Sequence, residues 1–589
     1  MSRSAGSLNL LSVVIALALL VFGQSANRRD LQKEKEAAEL REKGALAIVE
    51  QALSNAKNLK LPQNRIAVET ESLQLFWGRD KSRANGLLNQ LAAEFVQASG
   101  EGPETSTSSN RLNALRQQRQ QLVQFLGTVE PQMALRFLAA TRPYVRMEPP
   151  EQEEAEERQI QLNLASQEAA RDPRLALDIA EKKLDESDDI PFELLNVLNM
   201  LAIRDRGAET QLLQEIVSRL EQGDLTTDPQ SLNFAVNLLN NRSPNTGGQN
   251  ASQQAQDSGG EVEALRSLAE TLAAAVLSPE FPNDRMGNIE ACLPTLVSLA
   301  PGQAPSLRQK VAQYRRAMNP AQRSWEDFYQ AQQGGGAEQQ LEVAKQAPRG
   351  IRDSMYQQIA SNFASTGDFV RSRQLAEEEI SDPGTRSQVL QQGLRQAASV
   401  AVQKGQLDLA RQLIEQVTPE QARATALIQL AVEAANASTR ESFGLKLLAE
   451  ADSLLGARAQ NAEEFGWQMQ LVQAFAKFKP AHAVQILDRS AKQVNQVLAA
   501  AAQVDGFVPI QLYFEQGELV LSNSYLMNSL IAQYAQAAAS LADYDLETAR
   551  SAVDRIARPE ARLMAEITVA RSVLSKNVLD RADISAMAE

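Results

Sequence analysis

The chain holds one cysteine and one histidine, so most side-chain chemistry is decided at two positions. Cys292 lies in Ile289-Glu290-Ala291-Cys292-Leu293, an apolar helical context in which a thiol behaves as a small buried hydrophobe. A nucleophilic cysteine needs an imidazole to take its proton, and the single candidate, His482, stands far off in Pro480-Ala481-His482-Ala483. One cysteine allows no intramolecular disulfide, no cysteine-based metal knuckle and no dithiol couple. Acid–base chemistry is left to carboxylate runs: Glu377-Glu378-Glu379, Glu463-Glu464 and Asp188-Asp189. A glycosidase needs two carboxyls held about 5 to 10 Å apart across a cleft, one of them with a raised pKa. In polar runs at helix ends these residues are expected to be solvated charge instead. Gly334-Gly335-Gly336 lacks both the following Lys and the preceding strand of a phosphate loop. No catalytic residue, cofactor or metal site is expected. Asn241, Asn250 and Asn436 head Asn-X-Ser triplets, which matter only on a eukaryotic secretory route.

Large aromatics are the other candidates. Trp77, Trp325 and Trp467 would suit a carbohydrate or peptide groove, and equally a seam in a fold of small side chains. The densest aromatic stretch is Tyr513-Phe514-Glu515, with Phe507 and Tyr525 nearby. Its approach, Asp505-Gly506-Phe507-Val508-Pro509-Ile510, breaks the helical pattern and reads as a binding loop or as a packed turn between helices.

These residues need elements to position them, and the elements repeat. Gly367-Asp368-Phe369-Val370-Arg371-Ser372-Arg373-Gln374-Leu375 aligns with Gly405-Gln406-Leu407-Asp408-Leu409-Ala410-Arg411-Gln412-Leu413. Each copy has a turn glycine, a helix start, a small residue five places on and a leucine three further. Glycine frees the turn, the small residue lets neighbouring helices approach, and leucine fills the seam. Arg373 and Arg411 occupy equivalent positions, as a repeated polar ladder or as exposed pairing within each helix. A looser motif begins with proline: Pro131, Pro173 and Pro480 each precede a small residue, Ala134, Ala176 or Ala483. Proline belongs in a first helical turn, where its missing N–H costs nothing. Ala549 repeats the small-residue position.

This pattern resembles tetratricopeptide-like repeats, in which a glycine before the second helix and a small residue within it set the stacking. The resemblance spans about half of the chain; the full repeat signature, with its first-helix Trp or Leu-Gly and Tyr, is absent. It implies an all-α solenoid of stacked helical hairpins and a general role in association, and no functional residue carries over.

Composition agrees with such a fold. Of 589 residues, 43% are hydrophobic, 22% charged and only 5% aromatic, which favours helices packed through aliphatic side chains. A net charge of -14 argues against nucleic acid, whose phosphates require clustered Lys and Arg.

The N-terminus reads as an export signal. Arg3 precedes an apolar run from Leu10 to Phe22, and small residues follow, with cleavage expected after Ser25. The run is short beside the roughly 20 residues that span a bilayer. Arg28 and Arg29 follow at once and oppose translocation, which keeps an uncleaved anchor over residues 8–23 open. Beyond the signal, residues 27–146 read as a helical region, 158–241 as helical repeats, 242–260 as a disordered polar loop, 261–331 as helical and 338–589 as the clearest repeats. Ser99 to Asn110 reads as a further loop.

The expectation is an exported, periplasmic or extracellular, non-catalytic scaffold that holds protein or peptide partners along a concave face. Arg373, Arg411, Tyr513, Phe514 and Trp467 are its candidate contacts. Two rivals remain open: a helical-toroid enzyme acting on cell-wall or other polysaccharide with a carboxylate pair, and a cell-envelope protein anchored by its N-terminal helix.

Overall fold

A computed structural model describes residues 36–100, 106–141, 150–187, 189–242, 259–334, 336–435, 441–507, 513–521 and 525–588. The predicted export segment lies outside them, as does the predicted disordered loop apart from Arg242, Gly259 and Gly260. Among the described residues the chain is helical except for one two-stranded antiparallel hairpin, Phe514–Glu515 with Glu518–Leu519. The loop expected over Ser99 to Asn110 is narrower than its composition suggested. One helix runs to Gly100 and the next starts at Ser106, because flanking apolar residues carry the helical period into the polar stretch.

Helix starts follow local chemistry. The helices Pro131–Thr141, Pro173–Asp185 and Pro480–Asp505 open on the prolines of the loose motif. Asp172 caps the second of these, its carboxylate accepting from the Leu175 N–H at 3.1 Å. Asn461 caps Ala462–Phe478 at the Glu464 N–H, 2.9 Å, while the Glu464 carboxylate accepts from the Gln460 N–H at 2.7 Å.

Helix ends and seams follow too. Gly405 takes φ 78°, its N–H reaches Val402 O at 2.9 Å, and the Gln406 N–H reaches Ala401 O at 2.8 Å. Those two bonds close the Pro383–Gln403 helix with a left-handed residue that favours glycine. Gly367 takes φ 88°, and a Cβ there would stand 3.2 Å from the Val400 side chain. Five residues after these glycines, Ser372 and Ala410 are buried, as are Ala134, Ala176, Ala483 and Ala549. Small residues thus sit in the seams where the spacing placed them.

The chain divides into two compact units that cut across its composition breaks, so that helices of the 338–589 stretch fall in both. The first unit takes Met1–Gln118, Gly367–Phe369 and Gln391–Glu589, and so joins regions near both ends of the chain. Its Pro62–Trp77 helix packs against Pro559–Ala588, and Ile66 and Leu73 of the one and Ile567, Ala570 and Leu574 of the other are buried. Arg571 pairs with Glu71 between these helices, and Arg79 donates to Leu574 O. The second unit takes Arg119–Thr366 and Val370–Leu390. One aliphatic core runs through it from Leu162 to Val311, and a second from Phe328 to Val389.

Candidate functional site

Cys292 and His482 belong to different units. The thiol is fully buried in the aliphatic core of the second unit, and burial alone pushes its pKa up to about 12, so it holds no reactive thiolate. His482 belongs to the first unit, where it meets Asp452 at 3.0 Å and sets its ring edge-on to Phe475, centroids 4.6 Å apart.

The two arginines pair locally. Arg373 reaches Glu377 at 2.8 Å and Arg411 reaches Glu415 at 3.3 Å, each one helical turn away and exposed. Arg411 lies in the first unit and Arg373 in the second. Trp467 is half-buried on the Ala462–Phe478 helix of the first unit.

Tyr513 and Phe514 open the hairpin. The chain reverses through Gln516 at φ 51° and Gly517 at φ 83°, a two-residue turn whose left-handed pair matches the strand twist. Phe514 points inward, with the Arg558 guanidinium 4.7 Å from its ring. The Asp505 carboxylate accepts from the Tyr513 N–H at 2.7 Å and the Phe514 N–H at 2.6 Å. This hairpin fastens the N-terminal helices. The Glu518 carboxylate accepts from the backbone N–H groups of Lys60 and Leu61, at 2.5 and 3.1 Å, just ahead of the Pro62–Trp77 helix. Those donors open a helix whose start has no side-chain cap of its own. The Asn64 side chain donates to Leu519 O at 2.8 Å and accepts from the Leu521 N–H at 3.0 Å. Gln63 donates to Glu515 at 2.9 Å, and Glu560 accepts from the Leu519 N–H at 2.9 Å.

A carboxylate pair that no residue spacing signals sits in the same unit. Glu69 is 2% exposed, and Gln90 Nε2 donates both to its Oε1 at 2.7 Å and to Glu94 Oε1 at 3.3 Å. Burial first, then the Glu94 charge, push the Glu69 pKa up to about 8, against a smaller opposing pull from Arg65.

The second unit carries an open groove. Its first depression, about 590 Å³, has an apolar floor of Ala291, Leu293, Pro294, Val311 and Ala312, with Tyr329 at its edge. Pro294 lies inside the Met286–Leu299 helix and supplies no N–H to its ladder. Tyr329 is 50% exposed and stacks on Trp325, centroids 5.7 Å apart, while neighbouring Phe328 is fully buried. A second depression of about 560 Å³ shares Gln330 with the first, and a third of about 360 Å³ shares Glu338 with the second. The third is lined by Tyr356, Phe363 and Arg371, with the Arg371 guanidinium 5.7 Å from the Phe363 ring. Glu326, on the first depression, has its pKa raised by burial and then by the Glu290 charge.

Of the groove residues, sequence reasoning points as candidates only to Glu378 and Glu379, within a run read as solvated charge; both are exposed and line the third depression. The further signal is Trp325-Glu326-Asp327-Phe328-Tyr329, where aromatics one turn apart split between core and surface. Among the described residues no group of three or more His, Cys, Asp or Glu is placed to hold a metal ion, and no helix is long and apolar enough to cross a membrane.

No family model matches the chain, and no curated protein matches it. Among solved structures it is similar to a homology model of the full-length AP-3 complex in an intermediate open conformation. That match has 9% identity and a TM-score of 0.23, over 87% of this chain and 76% of that one. It is also similar to a circular tandem repeat protein with novel repeat topology and enhanced subunit contact surfaces, at 15% identity and a TM-score of 0.13, over 93% and 99% of the two chains. At such scores neither likeness carries a functional argument, and the reading rests on this chain's own residues.

Proposed function

We propose that the chain is an exported, non-catalytic helical scaffold of the tetratricopeptide-like kind, which holds protein or peptide partners along an exposed face. It works in the periplasm or outside the cell, or at a membrane where residues 8–23 are retained as an anchor. The observation that supports this reading is the groove of the second unit. Three adjoining depressions there present apolar side chains and a half-exposed tyrosine to solvent, an arrangement that suits many modest contacts with another chain. The test is an affinity pull-down of the mature chain from its own extracytoplasmic fraction, read by mass spectrometry. Recovery of one stoichiometric protein supports the scaffold, and recovery of glycan fragments alone overturns it. N-terminal sequencing of the same sample separates an anchored chain, which keeps Met1, from a free one.

A second reading, a carboxylate-pair enzyme acting on polysaccharide, is favoured by Glu69 and Glu94 alone. A sugar oxygen would have to enter the seam between Pro62–Trp77 and Lys81–Gly100 to reach Glu69. Loss of any glycan hydrolysis in Glu69→Gln would establish it.

A further inference from the structure

We propose that the groove of the second unit receives an extended, lysine- or arginine-bearing segment of a partner protein, anchored by one apolar or aromatic side chain beside Tyr329. The inference rests on the scaffold reading above and names the chemistry of the partner.

The balance of charge along the groove is the first reason. Seven carboxylates line the three depressions against four cations. Three of the cations are already occupied: Arg315 by Glu290, Lys345 by Glu342 at 2.8 Å, and Arg371 by Glu338 at 3.4 Å. Of the remaining carboxylates, Glu326 lies in the first depression beside the fourth cation, Arg308, Asp327 lies in the second, and Glu378 and Glu379 lie in the third, where Glu378 accepts from Gln374 Nε2 at 3.2 Å. Carboxylates therefore line all three depressions, and the middle one adds Ala331 and Val343 as apolar lining. Over the whole groove a cationic segment would find carboxylates in excess, and an acidic one would meet net repulsion.

Shape is the second reason. A helix is about 10 Å across, so five or so residues of it would fill a depression of this size. An extended strand advances about 3.3 Å per residue and turns alternate side chains toward the same surface. It can visit the joined depressions in turn. At the first, the exposed Tyr329 ring offers apolar area and an aromatic face that accepts a cation.

The test uses the full chain and two labelled unstructured peptides of equal length, read by fluorescence anisotropy. One bears several lysines and a single phenylalanine; the other has glutamate at every lysine. The lysine peptide is expected to bind at least about tenfold more tightly, and to weaken as salt shortens the screening length. Asp327→Lys combined with Glu378→Lys, both at exposed positions, should reverse the preference, and Tyr329→Ala should weaken binding several-fold. Gln222→Ala, exposed and uncharged on the Arg206–Gln222 helix of the same unit and off the groove lining, should change nothing. Circular dichroism and a melt matching the parent chain confirm that each variant folds. Equal binding of the two peptides, no binding of either, or an unchanged lysine preference in the double variant overturns the proposal. So does a Gln222→Ala effect as large as that of the groove variants. A glutamate peptide that binds and is lost in Tyr329→Ala ends the charge assignment while sparing the scaffold reading; an empty pull-down ends that reading.

Discussion

Both units are built of packed helices and differ in how far apart in the chain their buried polar contacts reach. In the first, carboxylates and amides are turned inward to join segments far apart in the chain: Glu518 receives Lys60 and Leu61, and Asn64 receives the hairpin backbone. In the second, two apolar clusters form the interior, the buried ion pairs Arg119–Glu157 and Arg242–Glu209 join elements nearer in the chain, and further carboxylates line an open groove. Buried polar groups are costly unless satisfied, so the first unit gains a defined register between its N- and C-terminal segments. The second also leaves carboxylates on an exposed surface.

The sharpest way to break this contrast is to damage each unit by its own mechanism. Phe234 is fully buried, with the Phe192 ring edge-on at 5.7 Å. Phe234→Ala should cost the second unit about 3 to 5 kcal/mol through the cavity it leaves. Hydrogen exchange during urea unfolding should show that loss in residues 150–311 and leave the first unit's transition in place. Equal loss in both would mean that they unfold as one.

Glu518→Ala tests the opposite mechanism, because it strands backbone donors rather than opening a void. Leaving the Lys60 and Leu61 N–H groups without their acceptor should cost about 3 kcal/mol, and Glu518→Gln should recover part of it. Exchange should rise at the start of the Pro62–Trp77 helix and in the hairpin together. A rise in the hairpin alone would show that the fastening is not shared.

The pH response should also distinguish the units. The folded-state pKa of Glu69 lies above its ordinary value of 4.5, at about 8, so the folded chain holds the extra proton. Its contribution is complete below pH 4.5 and is lost as pH rises through 8. The first unit should lose stability steadily between those values. Glu69→Gln should flatten the response, and melts across the range would measure it.

The smallest effect is expected where the repeated arginines pair in water. Arg373→Ala and Arg411→Ala should each change stability by less than about 0.5 kcal/mol by denaturant titration.

What could be read from the residues was local. Proline starts, the turn glycines Gly367 and Gly405, and the small residues at 372 and 410 each depend on neighbours within about one or two turns. The β-hairpin was missed because its turn carries Gln516 at positive φ, outside the Asn, Asp and Gly set that marks such turns. Its partners at residues 60–64 lie some 450 residues away, and no periodicity encodes that pairing. Glu69 and Glu94 were illegible for a related reason: two carboxylates meet across a helix seam only once the two helices have packed. The groove needed the split between Phe328 and Tyr329, adjacent aromatics that spacing alone does not assign to core or surface.

Site-specific photo-crosslinking tests the central claim most directly. A photoreactive amino acid at position 329 of the full chain, and separately at position 411, would be irradiated in the native extracytoplasmic fraction. The account predicts one discrete protein adduct from position 329 and none from position 411. Adducts of equal yield from both positions, or none from position 329, would contradict it.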